Sequence, residues 1–302
     1  MVYQRGGGKF RANKVYDLYK TIWWYSIILG ICGIIIAPDL ISIYRLGATL
    51  LPVSFNHWWF VTAFIGMMMF SPALNLIIEK STRNQLLYLV LVGLLLFTII
   101  PTLTSKTAYV SDLLWFCFLY ILIGFVRKYG EQYKLVALLK KNVTWIILFT
   151  LIFLSTVAFT ILERWVPAVR EGTNFFTGMY ILPQVVASLS VFLCFKGYRI
   201  GSNKVINWVG KHIFYVYLIQ SNVFFTVMLW DFVTDLHLEA SLLFPVFTLV
   251  LTITIVVVLV LVSVPLGLGF QLFQKLPPIR LIDRKICSLC GKIEDFWSAV
   301  PN

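Results

Sequence analysis

The sequence predicts an all-α polytopic membrane protein with about eight transmembrane helices and both termini cytoplasmic, and three observations carry that reading. Hydrophobic residues make up 60% of the 302 positions and charged residues only 13%, with a mean hydropathy of +0.87. Soluble domains are nearer half apolar and a quarter charged, and cannot hide more. The apolar residues also fall in runs close to the ~20 residues that a bilayer core demands. Finally, basic residues are dense in alternate loops and sparse in the others, as expected of a chain oriented in a membrane. The net charge of +12 would suggest nucleic acid in a soluble chain. Here its placement makes it an orientation signal, and no nucleic-acid partner is expected.

The apolar segments are 21–37, 57–78, 86–102, 112–126, 143–162, 180–195, 212–230 and 242–270. The fourth and sixth are short for a span. The last, with its run of Val, Ile and Thr, favours strand by propensity, but an isolated strand cannot satisfy its backbone in lipid. Only Arg45, Lys106, Arg164 and Arg170 lie in the loops of one side; the rest of the 25 lysines and arginines lie on the other. That other side, which includes the stretch 1–20 and the tail 273–302, is therefore cytoplasmic. Residues 21–272 form the membrane domain between them. In the tail, Pro277-Pro278 ends the last span, and Ile279, Ile282, Ile286 and Leu289 recur at helical spacing, so it is expected to lie along the inner surface.

Several short patterns carry no function. Gly6-Gly7-Gly8-Lys9 lacks the spacing and preceding strand of a phosphate loop. Cys287 and Cys290 form a lone C-x-x-C, read as structural or incidental, and no metal site is expected. Asn142-Val143-Thr144 has the form of a glycosylation acceptor but falls on the cytoplasmic side. No cleavable secretory leader is visible at the polar, basic N-terminus.

The most informative stretch is His57–Asn75, HWWFVTAFIGMMMFSPALN. Tryptophans at one end suit the headgroup layer. Asn75 at the other end is an amide within a span, which must find partners. A histidine, then W-F-V, then a helix closing on S-P-x-L-N resembles the central signature of acyltransferase family 3. Phe118–Tyr129, FLYILIGFVRKY, is similar to that family's F-x-x-Y-x-I/L-G-x-x-I/V-R-x-Y helix end. Ile206–Asn222, followed by Leu229-Trp230, resembles its late helix S-x-x-F-G-V/I-Y-L-I-H-x-N, with Gln220 in place of the histidine. Together the likeness covers residues 1 to about 270.

The resemblance implies an O-acyltransferase of the plasma membrane, moving acetyl from cytoplasmic acetyl-CoA to a hydroxyl of a cell-surface or exopolysaccharide sugar. No bound cofactor is implied; the partners are the bilayer, acetyl-CoA and a glycan acceptor. The family has about ten helices, the first bearing an Arg-x10-His pair tied to catalysis. No such pair occurs here, and the chain opens where the family's second helix would have ended. The resemblance thus also implies a chain lacking the first two helices, whose alternative role is an inactive remnant or partner subunit. A transporter or flippase would predict internal repeats with broken helices in both halves, and none is visible.

A sugar hydroxyl needs a base to take its proton as it attacks a thioester. No catalytic residue is assigned: His57 is a candidate base, but its spacing supplies no partner carboxylate. His212 and His237 read as plain polar residues. Arg11 and Lys14 occupy the place of a basic element in the family and are the acyl-donor candidates, since CoA is polyanionic. His57, Trp58, Trp59 and Asn75 are the acceptor candidates. Tyr217, Gln220 and Asn222 are polar groups within a span, as expected of a cavity.

Overall fold

A computed structural model describes residues 12–104, 110–163, 165–166, 178–197, 203–237 and 244–298. Among them there is no strand. Among the described residues six helices are long and apolar enough to cross a membrane, or seven if one bent pair forms a single span. The described residues of each of the eight apolar segments fall mainly on helix, and two of the segments differ from a single straight span. The sixth segment is the sixteen-residue helix α9, Leu182–Gly197, whose rise of roughly 24 Å is short of a ~30 Å core. The seventh is α10, Lys204–Gln220, and α11, Phe225–Asp235, set at 85° across the turn between them. Helix α1 runs unbroken from Ala12 to Ile36, so the last turns of the basic N-terminal stretch are helical.

The chain forms two compact units. The first, Phe70–Ile200, takes the later part of α3 (Trp59–Lys80), then α4 (Arg83–Leu94), a π-helical turn at Leu95–Ile99 and α5 (Ile100–Thr104). It continues with α6 (Asp112–Tyr129), α7 (Lys134–Leu139), α8 (Asn142–Glu163) and α9. Its core joins Ile78, Leu86 and Val90 to Trp115, Phe118, Leu122 and Phe125, with Leu139, Val185 and Leu193. Thr82 starts α4 with a reciprocal cap: its hydroxyl accepts from the Gln85 N–H and the Gln85 side chain accepts from the Thr82 N–H. Pro101 has no N–H to give, and the ladder shifts into its π-turn just before it. At the end of α3, Lys128 donates to the carbonyls of Ile78 (2.7 Å), Glu79 (3.1 Å) and Ser81 (3.3 Å). A cation there meets the negative end of the helix and carbonyls that have no partner within it. Lys128→Met is therefore expected to lower stability by about 1–3 kcal/mol, checked by thermal unfolding in detergent.

The second unit comprises Lys9–Met69 and Gly201–Asn302. It contains α1, the short α2 (Ile43–Leu50), the start of α3, α10, α11, α12 (Phe244–Lys275) and α13 (Pro277–Ser298). Ile22, Tyr25 and Leu29 of α1 pack with Trp58, Val61 and Ile65 and with Leu218 and Ile219 of α10. Polar groups in this core reach backbone carbonyls. Trp24 Nε1 donates to Leu266 at 3.2 Å, and Ser26 Oγ donates to Thr49 at 2.8 Å. Gly33 lets the buried ring of Phe224 lie directly on the α1 backbone.

α13 is amphipathic and runs back along α1. Asp283 accepts from Tyr16 Oη (2.7 Å) and pairs with Lys20 (3.0 Å), while Glu294 accepts from the Asn13 N–H (3.3 Å). Burial would raise the Asp283 pKa, but these two donors and the Lys20 charge outweigh it and hold the carboxyl below the usual range. Cys287 and Cys290 stand one turn apart on this helix, both free. The faces of α8 and α12 carry long rows of exposed Val, Leu, Ile and Phe. Apolar surface on that scale is stable only against lipid or another apolar partner.

Candidate functional site

The polar residues of the second unit gather where α10 breaks. The apolar run of 212–230 contains no Gly or Pro at the break, which spans Gln220 to Phe225. Two side chains fix the turn instead. Asn222, fully buried, accepts the Phe224 N–H through Oδ1 at 3.0 Å. His57 accepts the Val223 N–H through Nε2 at 3.0 Å, while its Nδ1 lies 3.2 Å from the Ala48 carbonyl. That pairing requires the neutral tautomer with the proton on Nδ1. Asn56 holds a left-handed φ of 51°, which asparagine tolerates, and the His57 N–H returns to the Pro52 carbonyl at 2.9 Å. The ring is thus held at both ends and stacks on Trp58, with centroids 3.9 Å apart. Burial lowers the His57 pKa to about 4, with the Ala48 bond acting in the opposite direction.

This geometry sorts the residues expected from sequence. Both His57 nitrogens are engaged by backbone, so in this arrangement no lone pair is free to take a sugar proton. Trp58 is 1% exposed and has no face to offer a sugar. Trp59 is exposed and meets Phe60 edge-on. Asn75 belongs to the first unit, where Tyr120 Oη donates to its Oδ1 at 2.8 Å and ties α3 to α6. Tyr217, half-buried, packs edge-on against Phe60. Gln220, exposed, closes α10, and its carbonyl accepts from Thr226 Oγ1 at 2.8 Å. With Asn222 these three line the helix break and its approach. Lys14 is exposed near the start of α1; Arg11 lies outside the described residues. His212 Nδ1 lies 2.8 Å from the Trp208 carbonyl within α10.

Sequence reasoning missed a cleft beside the break. It measures about 480 Å³ and is lined by Ser42, Tyr44, Arg45, Ser221, Val223, Thr226 and Val227. His57 stands behind its Val223 wall. One signal was present in the sequence: Arg45 is a cation in a loop of the side where cations are scarce.

Fold and surface together define a multi-pass, all-helical membrane protein. The chain belongs to acyltransferase family 3, whose profile, described as an acyltransferase domain, matches residues 1–264. No curated protein and no solved structure matches it. The family makes the protein a membrane acyltransferase.

Proposed function

We propose that the protein transfers acetyl from cytoplasmic acetyl-CoA to a hydroxyl of a cell-surface or exopolysaccharide sugar, acting in the plasma membrane. The observation that carries this reading is the family match over residues 1–264, joined to six or seven candidate spans. In the reaction the sugar oxygen attacks the thioester carbonyl. The new C–O bond forms, the C–S bond breaks, the hydroxyl proton passes to a base and CoA leaves as its thiol. Arg11 and Lys14 are the donor-side cations of this reading, and exposed Trp59 its acceptor-side aromatic. His57 serves as a positioning residue, holding the turn at Val223 through the nitrogen that a base would need free. The same observation favours a second reading, a glycan-binding partner subunit without chemistry of its own.

Membrane vesicles carrying the protein, given radiolabelled acetyl-CoA and cell-envelope glycan, separate the two. Label in alkali-labile ester linkage on glycan is the expected result. No label, with an active family member as positive control, would leave the binding-partner reading.

A further inference from the structure

The geometry points to the Arg45 cleft as the seat of an acidic sugar: a carboxylate- or phosphate-bearing residue of the glycan acceptor, gripped by the Arg45 guanidinium. This rests on the acceptor reading above and narrows it to an anionic glycan.

Arg45 is built in place. Its Nη1 donates to the Leu40 carbonyl, and its guanidinium lies 5.9 Å from the centroid of the buried Phe224 ring. Its own N–H is capped by Ser42 Oγ at 3.2 Å. It pairs with no carboxylate among the described residues. A guanidinium has five N–H donors in a rigid fork that matches carboxylate and phosphate oxygens in pairs. One is used by Leu40.

The rest of the lining suits a sugar. Ser42, Ser221 and Thr226 offer hydroxyls, and Tyr44 a half-exposed ring. Thr226 spends its proton on the Gln220 carbonyl, so toward the cleft it can only accept. Hydroxyl-rich ligands want such mixed donors and acceptors beside an aromatic face. A volume of about 480 Å³ falls in the usual range for small-ligand sites. Position also argues for a ligand. Ser42, Tyr44 and Arg45 lie outside the candidate spans, while Ser221, Val223, Thr226 and Val227 sit at the bend of the α10–α11 pair; the loop charges place Arg45 on the exterior side. Orientation disfavours cations there, so the charge of Arg45 has no topological use.

The test is calorimetric titration of the protein in neutral detergent with an oligosaccharide of glucuronic acid and with the same oligosaccharide after carboxyl reduction. The expected result is binding of the acidic form at least tenfold tighter than the reduced form. Arg45→Gln should erase that preference and Arg45→Lys should keep part of it, with both variants retaining the wild-type unfolding temperature. Equal affinity for both forms, or an Arg45→Gln variant that still prefers the acid, would overturn the inference. So would displacement of the acidic sugar by phosphatidylglycerol in bicelles, which would make the cleft a lipid-headgroup site. The acetyl-transfer assay separates the two readings. Transfer onto uncharged glycan with no acid preference sinks this inference alone, whereas acid-selective binding without transfer sinks the enzymatic reading alone.

Discussion

Gly33→Leu is expected to destabilise the protein by about 3 kcal/mol, read as a lower unfolding temperature in detergent. Helix propensity alone predicts the opposite sign, because leucine is favoured over glycine in a helix interior by most of 1 kcal/mol. Packing decides the outcome. A Cβ on Gly33 would lie inside the contact distance of the Phe224 ring. That ring is fully buried, covered by Arg45 on one side, and its backbone N–H is taken by Asn222. It has nowhere to swing. Pairing the change with Phe224→Ala opens room for the new side chain. The double variant should then lose less than the sum of the two single losses, and strict additivity would show that the residues do not meet.

Removing the His57 imidazole should have an effect of similar size. His57→Leu leaves the half-buried Val223 N–H without its partner, at about 1–3 kcal/mol, and takes from the Ala48 carbonyl the donor that it has besides Ser26 Oγ. The same contacts make stability depend on pH. The folded protein holds His57 neutral down to about pH 4, whereas an unfolded chain protonates it near 6.5. The contribution is therefore fully present above pH 6.5 and lost as pH falls toward 4. The loss approaches about 3 kcal/mol, at roughly 1.4 kcal/mol per pH unit. Other groups titrate in that window, so the readout is the difference between wild type and His57→Gln. Parallel unfolding profiles from pH 7 to 4 would refute the assignment.

Length and composition made most of the fold legible. A run of apolar residues long enough for lipid has helix as its one solution, and the described residues of these runs are helical apart from short ends and the break in the seventh. The tail was legible for a related reason, since Ile282, Ile286 and Leu289 repeat at the helical period and α13 follows. The break at Gln220–Phe225 was not, because Gln-Ser-Asn-Val-Phe carries no residue that forbids helix. What holds the turn there is the Asn222 side chain together with a hydrogen bond from the Val223 N–H to His57, 166 positions away in sequence. The site was half legible. Gln220 and Asn222 stood out as polar groups in an apolar run. His57 and Trp58 also stood out, but as surface residues, because sequence gives no sign that a backbone N–H will claim the imidazole. Arg45 was overlooked because a single arginine in a loop looks like any other until a cleft forms beside it.

The two units differ in how the ribosome delivers them. The main part of the first is the stretch Phe70–Ile200, whose core joins Ile78 to Val185 and Leu193 within that stretch. The second is interrupted by it. Tyr16 meets Asp283 only after 267 more residues have been made, roughly 15–50 s at ordinary synthesis rates. For that interval α1 waits in the membrane with Tyr25 and Trp24 lacking the α12 carbonyls they will later bond. Biogenesis is therefore nested: the inserted unit can be assembled first, and the tail, arriving last, locks the first helix in place.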